Sequence, residues 1–374
     1  MPITLHRRQM LAATTALGFM SLSARAATPG SEFFVGAYTT DSSKGIVPLF
    51  YAADSNTWTL GAPVTQIENA SFAVRHPSGK LWYMLNEQAD GKVGAWARHE
   101  DGSWTPVAEV SSHGDAPCFV STDDTGGTLG VANYNTGDVV FYRTDAATGA
   151  PLEPASIRRN TGSGPNKDRQ SGPHAHCVRF TPQQDFIYSN DLGTDQVLGY
   201  PFDAASQTVG DVFTAVTLPG GQGPRHIVFH PSQPLAFLVT EMGNCVFVLR
   251  REKDGTLSIV QQISTIPADF TGHSQAAHIV LNQATNRLYV SNRGHNSIIV
   301  YDVAADGSLT TRQIVSTEGD WPRFFLLLED KQRVVVAHQN GGTLNVFSVK
   351  PDGSLASTGQ VLKVPQPVFI GQLI

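Results

Sequence analysis

The sequence predicts an all-β fold made of repeated four-stranded units, and three observations support this prediction. The 374 residues include 35 Gly and 22 Pro, a composition rich in turns. Beyond about residue 27, no long segment shows the 3.6-residue apolar spacing of an amphipathic helix. One apolar pattern instead recurs at intervals of roughly 46 to 58 residues, which is the length of a four-stranded propeller blade.

Six copies of this pattern align on their apolar positions, and each begins with a short buried strand. The first residues of the six strands are Ser71, Cys118, His176, Arg225, Ala277 and Arg323. A second and a third apolar strand follow, with Gly-containing polar turns before the third. Most copies then have an Asp-Gly turn and a fourth strand, so each copy predicts one antiparallel sheet.

The two ends of the chain carry strands that belong to no complete copy. Residues 33–38 begin an incomplete unit, and residues 367–371 form a strand without a blade. Pairing these strands would complete a seventh blade and close the ring, which removes exposed sheet edges. We therefore predict a seven-bladed β-propeller over residues 28–374, closed by its N- and C-terminal strands. An open solenoid is the alternative.

The first 27 residues have the composition of an export signal rather than of the propeller. Arg7 and Arg8 precede an apolar stretch at 11–24, and Ala-Arg-Ala at 24–26 fits a small-x-small cleavage site. The paired arginines resemble a twin-arginine signal. We expect a periplasmic or secreted protein, with an ordinary buried first helix as the alternative for this segment.

The charge and the cysteines exclude several classes of function. The formal net charge is −6, and it becomes −9 without residues 1–27, which argues against nucleic acid or an anionic membrane as a partner. Cys118, Cys177 and Cys245 are too few and too widely spaced for a disulfide framework or a zinc site. We expect them to be small buried side chains.

Polar residues of several types recur where the blades should meet a central channel. The first strand of each copy should line this channel, and its start lies beside the end of the second strand. Arg225 and Glu241 should therefore lie close together. The set at this mouth of the channel comprises Glu87, His174, His176, Asp191, Arg225, Glu241, Arg293 and Arg323. A purely structural ring would repeat one residue type, so this uneven set indicates a site for a small, asymmetric, anionic ligand.

The residue types at this mouth are suited to acid–base chemistry on an anionic substrate. Arg225 can bind a carboxylate or phosphate, or stabilise an oxyanion. Glu241 or a histidine can act as a general base on water. No Gly-x-Ser-x-Gly motif is present, so a serine nucleophile is not expected.

Structural roles remain open for the same residues. Arg225 and Glu241 could form a plain ion pair between strands, and His174 and His176 could be hydrogen-bonded turn residues. The His-x-His pair could bind a metal, but no third and fourth ligand is evident, so we predict neither a metal nor a cofactor. Three further histidines are expected to be structural: His76, His230 and His278.

Several motifs resemble the lactonase family of seven-bladed propellers. They are FVGAYT at 34–39, NYNTG at 133–137, GPHAH at 172–176, NDLGTD at 190–195 and GPRH at 223–226. The family includes propeller-type 6-phosphogluconolactonases and fungal carboxymuconate lactonizing enzymes. The motifs occur in order at blade spacing over the whole chain after the signal.

This resemblance implies a hydrolase that opens a sugar or sugar-acid lactone, with a small-molecule substrate. It places the catalytic His, Arg and Glu on His176 (or His174), Arg225 and Glu241. The predicted substrate-binding residues are His174, Asp191, Arg293, Arg323 and Glu87. A lactonizing lyase or cycloisomerase acting on a dicarboxylate is one alternative, and a periplasmic propeller that binds a ligand or protein without turnover is another.

Overall fold

The computed structural model describes residues 32–40 and 45–373. All regular secondary structure within these ranges is β-strand. The strands form seven antiparallel sheets, the blades of a ring, so the predicted seven-bladed propeller is confirmed. No helix in the described residues is long and apolar enough to cross a membrane. The predicted export signal at 1–27 lies outside the described residues.

The strands follow one another blade by blade. The chain enters through three strands of blade 7: β1 (Phe33–Ala37), β2 (Val47–Ala52) and β3 (Thr57–Leu60). Blades 1 and 2 are β4 (Ala73–Arg75), β5 (Leu81–Asn86), β6 (Lys92–Arg98), β7 (Trp104–Ser111), β8 (Pro117–Thr122), β9 (Thr128–Asn133), β10 (Asp138–Thr144) and β11 (Pro151–Arg159). Blade 3 has a fifth strand and comprises β12 (Ala175–Phe180), β13 (Phe186–Asp191), β14 (Gln196–Asp203), β15 (Thr208–Val209) and β16 (Phe213–Thr217).

Blades 4 to 6 repeat the four-stranded pattern. They are β17 (Pro224–Phe229), β18 (Leu235–Thr240), β19 (Cys245–Arg251), β20 (Leu257–Ser264), β21 (Gln275–Asn282), β22 (Arg287–Arg293), β23 (Ser297–Val303), β24 (Leu309–Ser316), β25 (Pro322–Leu328), β26 (Arg333–His338), β27 (Thr343–Val349) and β28 (Leu355–Lys363). The last strand, β29 (Pro367–Gln372), becomes the innermost strand of blade 7 by pairing with β1. The predicted closure by the two ends of the chain is therefore present, with Phe33 opposite Gln372 and Val35 opposite Ile370.

Burial along each blade follows from its place in the ring. Every residue of β18 is buried, because middle strands are covered on both faces by the neighbouring blades. The outermost strand β20 alternates between buried or half-buried and exposed residues near its end, as expected at the rim. The position of a strand within its blade therefore explains both the apolar run of a middle strand and the mixed pattern of an outer strand.

Tyrosines in the second strands connect neighbouring blades through glycine turns. The hydroxyl of Tyr188 donates to the carbonyl oxygen of Gly255 at 2.6 Å, and that of Tyr289 donates to Gly353 at 2.8 Å. Both glycines have φ near +85°, a left-handed conformation that favours glycine. The recurring Asp-Gly turn therefore both reverses the chain and accepts a buried hydroxyl from the preceding blade.

The innermost strands share a β-bulge at the same level of the channel. The pairing register shifts across His176 in β12, across Arg225 in β17 and across Arg323 in β25. A bulge adds one unpaired residue and redirects its side chain. The simple alternation that we used to place residues two apart on one face is therefore interrupted here, and two consecutive side chains of an inner strand reach the channel.

Candidate active site

Glu241 lies at the centre of a cluster of arginines at one mouth of the channel. Its Oε1 is 2.6 Å from Nη2 of Arg169, and its Oε2 is 3.2 Å from Nε of Arg225 and 2.8 Å from Nη2 of Arg293. The Glu241 side chain is only 4% exposed. Arg225 and Glu241 are in contact, as the hairpin geometry predicts.

Backbone contacts hold the two ends of this hairpin in place. The amide of Glu241, which directly follows β18, donates to the carbonyl oxygen of Gly223 at 2.8 Å. Gly223 has a φ of 65° and donates its own amide to Oδ1 of Asp195 at 2.7 Å. Nδ2 of Asn190, in the preceding blade, donates to the carbonyl oxygen of Arg225 at 3.0 Å. The neighbouring blade therefore fixes the backbone that carries the site.

The arginines determine the protonation state of Glu241. Burial alone would raise the pKa of this carboxyl, but the charges of Arg293, Arg225 and Arg169 outweigh burial and hold the pKa well below its usual range. Burial, followed by the charges of Arg293 and Arg323, lowers the pKa of Arg225. Glu241 is therefore ionised at neutral pH and is a weak base, because protonating it would leave the guanidiniums unpaired.

His176 lies beside this carboxylate as a neutral imidazole. Its Nε2 is 3.8 Å from Oε2 of Glu241, and its Nδ1 is 3.7 Å from the sulfur of Cys118. Burial and then the charge of Arg225 lower the pKa of His176 well below its ordinary value. The ring packs edge-on against Tyr134 at 5.4 Å between centroids. Its environment therefore leaves His176 uncharged and in contact with the channel cluster.

A second polar cluster contains two of the predicted residues and one that we did not predict. Arg323 Nη2 is 3.8 Å from Oε1 of Glu87, and the Tyr38 hydroxyl donates to the same oxygen at 2.9 Å. The Arg323 guanidinium carbon lies 5.6 Å from the centre of the Tyr38 ring. The other oxygen of Glu87, Oε2, is buried and has no hydrogen-bond partner among the described residues.

His174 and Asp191 have contacts that shape a loop. Asp191 Oδ1 accepts from the backbone amides of His174, Gly193 and Thr194 at 2.9 to 3.1 Å. Nδ1 of His174 lies 2.8 Å from the carbonyl oxygen of Tyr134, so Nδ1 carries a proton and donates. Oδ2 of Asp191 accepts from Nδ2 of Asn160 at 2.6 Å, so both oxygens of this carboxylate have hydrogen-bond partners in the protein.

The strongest omission from the sequence-based set is Arg169. It lies on the long connection between β11 and β12, outside the repeated unit, and donates from Nη2 to both Glu241 and the Tyr134 hydroxyl. The only signal for it is the charged Lys167-Asp168-Arg169 run shortly before the GPHAH motif. His226 was also missed, and it contacts Arg225 directly, as described below.

The other histidines and the cysteines are placed largely as predicted. His76 and His230 each accept a backbone hydrogen bond inside a turn, but His278 is buried inside the channel. Cys118 and Cys177 are buried, and Cys245 is half-buried. Among the described residues, no three His, Cys, Asp or Glu side chains are grouped so that they could hold a metal ion.

Comparison with known proteins establishes the family. Residues 32–371 match the model of the family described as "Lactonase, 7-bladed beta-propeller". The chain belongs to this family, and the resemblance seen in its motifs is confirmed. It is therefore a lactone-hydrolysing enzyme.

Three similar proteins cover nearly the whole chain. A 6-phosphogluconolactonase of Bacillus subtilis is 33% identical over 345 residues, which are 90% of this chain and 97% of that protein. The solved structure of a periplasmic gluconolactonase of Pseudomonas aeruginosa is 27% identical with a TM-score of 0.83, over 91% of this chain and 98% of the other. A solved Lactobacillus plantarum protein is 30% identical with a TM-score of 0.82, over 90% and 98%.

Proposed function

We propose that this enzyme hydrolyses the ester bond of a sugar or sugar-acid lactone at the arginine-lined mouth of its channel. The observation that carries the proposal is a neutral His176 beside Glu241, a carboxylate held by three arginines. The names of two relatives, a 6-phosphogluconolactonase and a periplasmic gluconolactonase, support a lactone of this class.

In the proposed reaction His176 is the general base and Glu241 is its electrostatic partner. We assign the proton of His176 to Nδ1, which lies 3.7 Å from the Cys118 sulfur, so that Nε2 is the free basic nitrogen. The 3.8 Å between Nε2 and Glu241 Oε2 is too long for a hydrogen bond and allows one water to contact both atoms. His176 takes a proton from this water as its oxygen attacks the lactone carbonyl, and Glu241 stabilises the imidazolium.

Arg225 supplies the oxyanion contact. Its described hydrogen bonds use Nε and Nη1, which leaves Nη2 to donate to the lactone carbonyl oxygen. Negative charge grows on this oxygen as water adds, so a buried guanidinium stabilises the transition state more than the substrate. The ring C–O bond then breaks, and the His176 imidazolium returns its proton to the leaving alkoxide. The product is a hydroxy acid, which ionises to its carboxylate.

The remaining charged groups favour an anionic or hydroxyl-rich substrate. Two carboxylates, Glu87 and Glu241, face four guanidiniums, and those are Arg169, Arg225, Arg293 and Arg323. The excess of two positive charges suits a phosphate or carboxylate on the substrate. The unpartnered Oε2 of Glu87 suits a sugar hydroxyl. The same arginines favour a second candidate, lactonization of a dicarboxylate.

We further propose that the enzyme acts outside the cytoplasm. The signal-like segment at 1–27 supports this, and so does the periplasmic relative from Pseudomonas aeruginosa. Fusing residues 1–27 to a reporter that is active only after export tests the location. Export that is lost when Arg7 and Arg8 are both changed to Lys is the expected result. Retention of the unaltered fusion in the cytoplasm would contradict the proposal.

The activity is tested by acid release from a panel of lactones that includes glucono-δ-lactone and 6-phosphogluconolactone. We expect hydrolysis well above the spontaneous rate, lost in His176→Gln and Glu241→Gln and kept in Glu329→Gln, an exposed glutamate of the β25–β26 turn. Rates equal to buffer across the panel would exclude the hydrolase. Lactone formation from a carboxymuconate-type dicarboxylate would then support the second candidate.

A further inference from the structure

Next to the arginine cluster, six aromatic side chains of the inner strands contact one another around the channel. The residue that follows each mouth-facing position of an inner strand contributes one ring, in every blade except blade 3. We call this set the aromatic belt, and it consists of Phe72, Phe119, His226, His278, Phe324 and Phe369. Successive members are in ring contact around the channel, with centroids 4.2 to 5.4 Å apart.

Four members of the belt are Phe and two are His. Each histidine lies against a Phe of the belt, His226 against Phe119 at 5.1 Å and His278 against Phe324 at 4.2 Å. An imidazole beside an apolar ring is unfavourable unless its nitrogens are hydrogen-bonded. The two histidines are also neighbours, in blades 4 and 5. Since the other blades fill the same position with Phe, packing alone does not require histidine here.

His226 is hydrogen-bonded to the proposed oxyanion donor. Nη1 of Arg225 lies 3.0 Å from Nε2 and 3.3 Å from Nδ1 of His226, and it donates to the carbonyl oxygen of Ala277 at 2.6 Å. A guanidinium only donates, so one ring nitrogen of His226 must be unprotonated and accept, and the shorter of the two contacts assigns this role to Nε2. The two acceptors together fix Nη1 and direct the rest of the guanidinium toward Glu241 and the channel.

His278 completes the chain of hydrogen bonds. If Nε2 of His226 accepts, the neutral His226 ring carries its proton on Nδ1. This Nδ1 lies 3.2 Å from Nδ1 of His278, which must then accept and carry its own proton on Nε2. Burial, followed by the charge of Arg225, lowers the pKa of both rings well below its ordinary value, which keeps them neutral.

We infer that His226 is a positioning residue for Arg225 and that His278 sets the tautomer in which His226 can do this. The inference rests on the proposed role of Arg225 as the oxyanion donor. A His226 ring that carried its proton on Nε2 would direct N–H against N–H of Arg225. Blades 4 and 5 therefore carry histidine in the belt because Arg225 needs a hydrogen-bond acceptor on the side that faces the belt.

Kinetics of matched belt variants test this inference. His226→Phe introduces the residue that most other blades carry, so packing is preserved while the acceptor is lost. We expect kcat to fall by about 10- to 100-fold, the range that a misplaced catalytic group produces. KM should change little, because the lost interaction belongs to the transition state. His226→Gln, whose side-chain oxygen can replace Nε2 as an acceptor, should recover most of kcat.

The role of His278 is tested by a double-mutant cycle. His278→Phe should lower kcat in the parent enzyme but have no further effect when His226 is already Phe. Phe369→Leu is the packing control, and it should lower thermal stability without a comparable loss of kcat. Full kcat in His226→Phe, no advantage of Gln over Phe at this position, or additive effects in the cycle would each overturn the inference.

A second measurement does not depend on turnover. Imidazole 15N chemical shifts of the labelled full chain, assigned with the His226→Gln and His278→Phe variants, report the tautomer of each ring. The expected result is Nδ1–H for His226 and Nε2–H for His278. The opposite tautomers, or a charged His226 at neutral pH, would overturn the hydrogen-bond chain. If no lactone is hydrolysed but the tautomers are as expected, the proposed function fails and the chain of contacts stands.

Discussion

At the scale of single residues, the two candidate general bases, Glu241 and His176, differ in charge: one is ionised and the other is neutral. Glu241 is bound by three guanidiniums and keeps its negative charge. His176 lies beside it and stays neutral because burial and Arg225 disfavour the imidazolium. A buried carboxylate without partners is strongly unfavourable, so the arginines are as necessary for folding this mouth as for binding. Activity tests at these positions therefore need a stability measurement beside them.

Arg225→Gln is expected to reduce kcat by about 10²- to 10³-fold, the usual loss when one oxyanion donor is removed. The physical reason is that the neutral side-chain amide of glutamine lacks the positive charge that stabilises the developing oxyanion. Steady-state kinetics on the best lactone of the panel measure the effect. Arg75→Gln, at an exposed arginine of β4, is the control and should leave kcat unchanged. A loss confined to KM would show that Arg225 binds the ground state only.

The pH profile should have its acid limb below pH 6.5. His176 must be neutral to accept a proton, and its folded-state pKa is lowered, so activity is retained until the pH falls through that lowered value. The dependence of kcat/KM on pH for the free enzyme measures this limb. A midpoint at or above pH 6.5 would contradict the assignment of His176 as the base. Loss of the limb in His176→Gln, measured on its residual activity, is the matched check.

At the scale of elements, the connection between β11 and β12 carries a charge that the repeat does not. Gln170, fully buried, donates from Nε2 to the carbonyl oxygen of Leu192 at 2.9 Å. Its own carbonyl oxygen accepts from Gly164 at 3.0 Å, so the connection is fixed on both sides. Arg169, the preceding residue, is held over the mouth with its side chain one-third exposed.

Arg169→Gln should lower kcat/KM for 6-phosphogluconolactone more than for glucono-δ-lactone. The phosphate can pair with the exposed part of the guanidinium, whereas the neutral sugar cannot. The ratio of the two kcat/KM values is the measurement. Lys167→Gln, at an exposed cation of the same connection, should leave the ratio unchanged. Equal losses on both substrates would mean that Arg169 acts only through Glu241.

At the scale of the whole molecule, one strand pairing closes the ring. β29 pairs with β1 across five residue positions and contacts the inner strands of blades 6 and 1. Without that pairing, blade 7 would lose its innermost strand and two sheet edges would face solvent. The mouth that holds the site is formed by residues of most blades, so its geometry depends on closure of the ring.

Ile370→Ala should reduce the free energy of unfolding by about 2–5 kcal/mol, the typical loss for a buried Ile truncated to Ala. Ile370 is 1% exposed and lies opposite Val35 in the closing pair. Chemical denaturation measures the change. Val361→Ala, at a 54% exposed position of β28, is the control and should alter stability by no more than about 0.5 kcal/mol. Equal effects of the two variants would show that closure contributes little.

The blade count, the order of the strands and the closure of the ring could all be predicted from the apolar pattern of the sequence. Each blade solves the same packing problem, so the apolar pattern repeats and can be aligned without a structure. The meeting of Arg225 and Glu241 also followed from sequence, because both lie at the same end of one hairpin. Arg293 was assigned to the same mouth by the same reasoning, and it contacts Glu241.

The full set of side chains that converge at the mouth, and their protonation states, became evident only in the folded chain. Arg169 lies 72 positions from Glu241 in a connection outside the repeat, so no periodicity predicts their contact. The bulges of the inner strands depend on pairing register, which places His226 next to Arg225 in the channel and 3.2 Å from a histidine of the next blade. The low pKa of Glu241 arises from arginine charges brought together by two blades and one connection. Local sequence predicts strands, but charge and tautomer depend on neighbours that folding alone supplies.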